Sequence, residues 1–320
     1  MVRYSERQGR RVKSRSPEGE VGALGGPGVA GLGVRVPSPV ERLVDSRLSG
    51  YGVEVFLKRD DLIHPEVPGN KWRKLGLNLR AVLDQGHETI VTFGGAYSNH
   101  IRAVAAAGRA LGIATVGLIR GEEHLPLNPS LAAARRDGMD LHYVDRGVYR
   151  HRASAEFLGS LPARFGRFYL IPEGGSNDLG VRGCVQIAAE IGTSYDVVVC
   201  PCGTGGTLAG LSHGLAPAAG TRAVGIAALK GADFLRDEVR RLQHAAFGGV
   251  SENWSIELGY HGGGFAKTSP ELLAFAAEFE RLHGLAVERV YVAKMLAAVM
   301  DMVRNGRFVG GQSVLVVVTG

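Results

Sequence analysis

Val197-Val198-Val199-Cys200-Pro201-Cys202-Gly203-Thr204-Gly205-Gly206-Thr207-Leu208 passes from a β-branched apolar run through a glycine-rich turn into a helical pattern. A short buried strand that turns sharply into a helix is the repeating unit of an α/β fold. Glycines let successive backbone N–H groups converge at the helix start, where the helix adds positive potential. Thr204 and Thr207 add hydroxyl donors, so the turn reads as a phosphate cradle built without lysine. A plain connecting turn is the competing reading, because glycine serves both uses.

The same alternation extends outward. Strands are expected at 53–58, 89–93, 114–119, 196–201, 222–227 and 313–318. Helices are expected at 98–111, 128–137, 178–191, 207–215, 270–283 and 293–304, with Asn177 and Asp178 as caps before the third. The fold class is therefore α/β, with parallel sheets wound by helices on both faces. A second turn, Gly94-Gly95-Ala96-Tyr97-Ser98-Asn99-His100, also leads from strand to helix. Ligands of such sheets sit where loops leave the carboxyl ends of strands, so these two turns carry the functional information.

Other ligands fit the cradle poorly. A dinucleotide fingerprint needs a third glycine where Leu208 stands, and no carboxylate closes the next strand at 225–228. No Gly-Lys-Ser/Thr follows, so a P-loop is excluded. His261-Gly262-Gly263-Gly264 mimics an esterase oxyanion loop, but no Gly-x-Ser-x-Gly elbow accompanies it. Cys200-Pro201-Cys202 lacks the paired histidines of a zinc site, and no metal is expected.

Composition narrows the class further. The 320 residues are 45% hydrophobic and 21% charged, a globular balance, and three cysteines fit a reducing, cytoplasmic setting. No apolar run reaches the roughly 20 residues that span a bilayer, so no membrane partner is expected. The net charge of +6 is concentrated at the start. Arg3, Arg7, Arg10, Arg11, Lys13 and Arg15 against Glu6 leave the rest of the chain nearly neutral, which argues against nucleic acid. Residues 1–33 read as a disordered leader.

Upstream of both turns lies Lys58-Arg59-Asp60-Asp61, then Gly69-Asn70-Lys71-Trp72-Arg73-Lys74. A lysine at a helix start can project into a cleft, where burial beside another cation frees a nucleophilic amine able to form a Schiff base. With Pro172-Glu173-Gly174-Gly175-Ser176-Asn177, these motifs occur in an order that resembles the 1-aminocyclopropane-1-carboxylate deaminase and D-cysteine desulfhydrase family. The resemblance covers about residues 34–320.

The resemblance implies a tryptophan-synthase-β-like fold, also called fold type II, of two doubly wound α/β domains. The larger would comprise 34–72 and 184–320, and the smaller 73–183. It implies pyridoxal phosphate as cofactor and a small amino acid as substrate. Lys71 would bind the cofactor and shuttle the Cα proton. Lys74, Gly203, Thr204, Gly205, Gly206 and Thr207 would hold its phosphate, Asn99 its phenolic oxygen, and Thr319 its pyridine nitrogen. Ser98, Asn99, His100, Tyr260, Phe265 and Tyr291 would face the substrate, with Ser98 and Tyr291 assisting catalysis. A homodimer is implied by the relatives.

Two departures from the family pattern stand out. Phe265 occupies a position where tyrosine is usual and cannot donate a proton, unless Tyr260 or His261 substitutes. Val292 and Ala293 replace the polar residue and glycine of a Tyr-x-Gly-Lys segment. Three readings follow: deamination of a D-cysteine-like or cyclopropane amino acid, β-replacement or isomerisation on the same fold, and a cofactor-binding protein without catalysis.

Overall fold

In the computed structural model, residues 32–192, 195–218 and 220–320 are described. The expected leader falls outside them up to residue 31. Leu32, within the expected leader, is buried in the same apolar cluster as Trp72 and Leu75.

Among the described residues, ten strands form two sheets. The six-stranded sheet has the order β1 (Val40–Arg42), β2 (Glu54–Arg59), β10 (Ser313–Val318), β7 (Val197–Cys202), β8 (Arg222–Ala227) and β9 (Trp254–Glu257). Only the β1–β2 pair is antiparallel. The four-stranded sheet has the order β5 (Asp140–Val144), β4 (Ala114–Arg120), β3 (Thr89–Gly95) and β6 (Tyr169–Ile171), all parallel. β7 is buried at every residue, as a strand covered by helices on both faces must be.

The chain leaves the first sheet after β2 through helix α1 (Gly69–Asp84). It runs through α2 (Asn99–Leu111), α3 (Pro129–Arg136), α4 (Arg146–Arg150) and α5 (Ala155–Phe165) around the second sheet. It returns to β7 through α6 (Asp178–Ile191), and α7 (Gly206–Leu215), α8 (Leu235–Phe247), α9 (Pro270–His283) and α10 (Val292–Arg304) complete the first layer. The two crossing helices, α1 and α6, pack directly on one another; a Cβ at Gly183 would lie 2.0 Å from the Arg73 carbonyl. The expected seams at 72/73 and 183/184 both lie within these helices.

Local chemistry sets the site-bearing elements. Ser98 caps α2 by accepting from Ile101 N, and Asn177 caps α6 by accepting from Gly180 N. α1 begins without a side-chain cap. Instead its first residue is wedged against the end of β10. Gly69 has φ +52°, and a Cβ there would fall 1.8 Å from the Thr319 carbonyl oxygen, a position only glycine can occupy. That wedge joins Lys71 to the carboxyl edge of the six-stranded sheet.

A buried ionic network braces the same helix. Arg73, fully buried, donates to Asp60 through Nη2 at 2.9 Å and Nε at 3.1 Å, and to Glu190 through Nη2 at 2.8 Å. Lys58 donates to Glu190 and to the Ser38 carbonyl, and Ser38 Oγ donates to Asp60 at 2.6 Å. Burial works against charge on Glu190, but hydrogen bonds from Arg73 and Lys58 hold its pKa below the ordinary value. Lys58, Asp60 and Arg73, all from the two upstream motifs, are thus structural: they tie β2, α1 and α6 together.

Candidate active site

Loops leaving the carboxyl ends of β2, β3, β6, β7 and β10 converge on a cavity of about 190 Å³. It is lined by Lys71, Lys74, Ser98, Asn99, His100, Gly203, Thr204, Gly205, Thr207, Phe265, Tyr291 and Thr319. These are all the sequence-predicted site residues except Gly206 and Tyr260. Gly206 lies just behind the wall, where a Cβ would meet Lys74 Nζ at 3.2 Å and Ser176 Oγ at 2.8 Å.

Tyr260 is a correction. It packs on the large core cluster and its hydroxyl donates to Asp301 at 2.7 Å, away from the cavity. His261 does not line the cavity either, since its Nδ1 accepts from Gly263 N at 3.0 Å. Neither residue replaces the phenol missing at Phe265. Phe265 instead meets the Tyr291 ring edge-on, with centroids 5.9 Å apart. Tyr291 lies against Gly203, where a Cβ would come within 2.9 Å of its ring. It therefore carries the single phenol among the described lining residues. Burial and then Glu288 raise its pKa, so the hydroxyl keeps its proton at neutral pH.

At the floor, Lys74 donates to Gly174 O at 3.2 Å, Ser176 Oγ at 3.1 Å and Thr204 Oγ1 at 3.3 Å. All three acceptors are neutral, and burial lowers the Lys74 pKa. An almost fully buried ammonium with only neutral partners, beside the N-terminus of the ten-residue α7, is a receptor for an anionic group. Gly206 leaves the space that such a group needs, so the residues present fit the phosphate of pyridoxal phosphate.

Lys71, one turn away on α1, donates to Asn70 Oδ1 at 2.7 Å, and Asn70 Nδ2 donates to Thr207 Oγ1 at 3.2 Å. Asn70 thereby links the amine to the cradle. Burial, then the charge of Lys74, bring the Lys71 pKa down to about 7 against the opposing pull of Glu288. About half of the amine is therefore neutral at pH 7, and the neutral form is the nucleophile.

The tautomer of His100 follows from its partners. Thr92 Oγ1 gives its proton to Ile171 O at 2.8 Å, so at 2.9 Å it must accept from His100 Nε2–H. His100 Nδ1 is left as a buried acceptor with no partner. Burial, then Lys71 and Lys74, hold the imidazole pKa down to about 3, so it is neutral across the working range. Of these two groups, only Lys71 should accordingly shape the pH dependence with which the apoprotein captures pyridoxal phosphate. Below pH 7 the amine is protonated and capture slows about tenfold per unit; above pH 7 it levels off. Stopped-flow absorbance, corrected for the ionisation of free pyridoxal phosphate, tests this: a midpoint above pH 9 contradicts it.

Asn70, Arg120, Glu173 and Ser176 also belong to the site and received no role from the sequence. Asn70, Glu173 and Ser176 stand inside the quoted motifs, which was a usable signal. Arg120 is one basic residue at a strand end and gave none. The three cysteines are buried and unpaired, and burial raises their pKa values, that of Cys202 to about 11. Among the described residues no His/Cys/Asp/Glu group could hold a metal, and no helix is long and apolar enough to cross a membrane.

A fold type II architecture with an amine and an anion cradle facing one cavity defines a pyridoxal-phosphate enzyme. The chain belongs to the pyridoxal-phosphate dependent enzyme family, whose model matches residues 35–320. It is 32% identical to a D-cysteine desulfhydrase of Yersinia pestis over 88% of this chain and 91% of that one. It is also 32% identical to a Thermotoga maritima protein named as a candidate 1-aminocyclopropane-1-carboxylate deaminase, over 89% and 93%. A crystal structure of an ACC deaminase homologue superposes with a TM-score of 0.78 at 27% identity, covering 90% of each chain. The chain is thus a pyridoxal-phosphate-dependent enzyme of the deaminase and desulfhydrase type.

Proposed function

We propose that this enzyme deaminates a small amino acid bearing a β-leaving group, D-cysteine-like, consuming one water and giving a 2-oxo acid, ammonia and the released, protonated β-substituent. The observation that carries this reading is the pairing of the buried Lys71 amine with the Lys74 and 203–207 cradle around one cavity. Pyridoxal phosphate, when bound, supplies an aldehyde for the amine and a ring that accepts the electron pair left at Cα. Lys71 holds the cofactor and then takes the Cα proton. Lys74, with the backbone and hydroxyls of 203–207, holds the phosphate. Asn99 serves the phenolic oxygen and Thr319 the pyridine nitrogen, as a neutral partner.

The amino end of α2, at Ser98, Asn99 and His100, suits the substrate carboxylate, because the helix presents free N–H groups there. Tyr291, kept protonated, is placed to give its proton to the departing β-substituent. A cyclopropane substrate asks more of the site, since opening the ring calls on a donor where Phe265 has none. The β-substituted substrate is favoured for that reason. The same reading carries a homodimer, which light scattering tests.

A product screen tests the reaction. The holoenzyme is offered D- and L-cysteine, other β-substituted amino acids and 1-aminocyclopropane-1-carboxylate in deuterated water. The expected result is 2-oxo acid and ammonia from a D-β-substituted amino acid, with the cyclopropane compound turned over more slowly. Product that forms only when a nucleophile is added would assign β-replacement instead. Absence of Cα exchange with every amino acid would overturn the reading.

A further inference from the structure

Helix α10 carries a second chemistry-bearing group outside the roles assigned so far. Lys294 lies three residues after Tyr291 and is 2% exposed. Its ammonium donates to Gly264 O at 2.8 Å and to Ala228 O at 3.2 Å, with no carboxylate within ion-pair distance among the described residues. The placement is costly twice over. Burial disfavours the charge, and the first turn of a helix is its positive pole. Glu288, which accepts from the N–H groups of Val290, Tyr291 and Val292, offsets part of this at longer range.

The acceptor side is equally unusual. Gly262, Gly263, Gly264 and Ala266 have φ of 60°, 90°, 136° and 55°. Four of five consecutive residues thus occupy a conformation that L side chains rarely adopt, and Ala266 does so without the freedom of glycine. The segment's own backbone bonds are Gly264 N to His261 O and Lys267 N to Gly264 O. Lys294 supplies the tie from outside, joining Gly264 to the residue that follows β8. Phe265, between the strained residues, forms a wall of the cavity against Tyr291.

We propose that Lys294 is a positioning residue of the substrate pocket: it pins the 262–266 loop so that Phe265 closes the cavity against Tyr291. One helical turn then sets both the phenol and the wall opposite it. The consequence for substrate binding rests on the function proposed above; the consequence for the loop does not.

The test uses the full chain loaded with pyridoxal phosphate, as Lys294→Met, Phe265→Ala and the double variant. Hydrogen exchange of the 262–267 amides should rise at least tenfold in Lys294→Met while β7 and α7 stay unchanged. The half-saturating amino acid concentration, read from visible absorbance, should rise about tenfold with kcat within about threefold. In the Phe265→Ala background the same substitution should add less than twofold, which a merely structural lysine would not show. Lys294→Gln, retaining a donor for one carbonyl, should fall between and serves if the methionine variant does not fold. Unchanged exchange, or an equal effect with and without Phe265, overturns the proposal. If no amino acid perturbs the wild-type spectrum, the functional reading fails and exchange alone decides the role of Lys294.

Discussion

Replacing Lys71 with alanine is expected to lower turnover by at least about 10³-fold and to abolish the visible band of the bound cofactor. The magnitude follows from losing two functions at once, covalent attachment and proton transfer at Cα; general acid–base catalysis alone contributes roughly 10²–10⁴-fold. Lys74 does not substitute. It is committed to Gly174 O, Ser176 Oγ and Thr204 Oγ1 at the floor of the cavity. Noncovalent affinity for the cofactor should partly survive, because the anion cradle at 203–207 is untouched. Turnover within tenfold of wild type would show that another amine does the work.

Replacing Arg73 with methionine should destabilise the protein by about 3–5 kcal/mol, the range for removing one partner of a buried ion pair. The guanidinium is fully buried between Asp60 and Glu190, and its loss leaves Asp60 with Ser38 and the more distant Lys58 ammonium, 4.0 Å away. Lys58 continues to neutralise Glu190, which places the expectation at the lower end. Urea titration followed by circular dichroism measures it. A shift below about 1 kcal/mol would mean that the network is hydrated and contributes little. Because α1 carries both Arg73 and Lys71, weaker cofactor retention should accompany the loss.

Much of this site was legible in the sequence because its residues act through local backbone geometry. The 203–207 turn and the Asn177 cap depend on neighbours within a few positions, and β8, β10, α6 and α9 have the expected bounds, whereas α2 begins one residue after the expected 98, with Ser98 as its cap. Strands β1 and β6 are only three residues long and offer no period to read. Helix α5 is capped by Ser154 but holds Pro162 in its interior, which interrupts the helical pattern, and α8 starts without a capping side chain. Contacts distant in sequence were beyond such reading. Arg73 and Glu190 are 117 positions apart, and Tyr260 turns toward Asp301 rather than the cavity. Lys58 stands in a quoted motif without a role, and only packing shows it to be a brace.

The central claim is that one amine, on the first turn of α1, holds the cofactor whose phosphate lies at 203–207. Borohydride reduction of the loaded protein followed by peptide mapping by mass spectrometry tests it most directly. The expected result is a single pyridoxyl adduct on Lys71. An adduct on Lys74 or elsewhere, or none on a protein that turns over its substrate, would contradict the account.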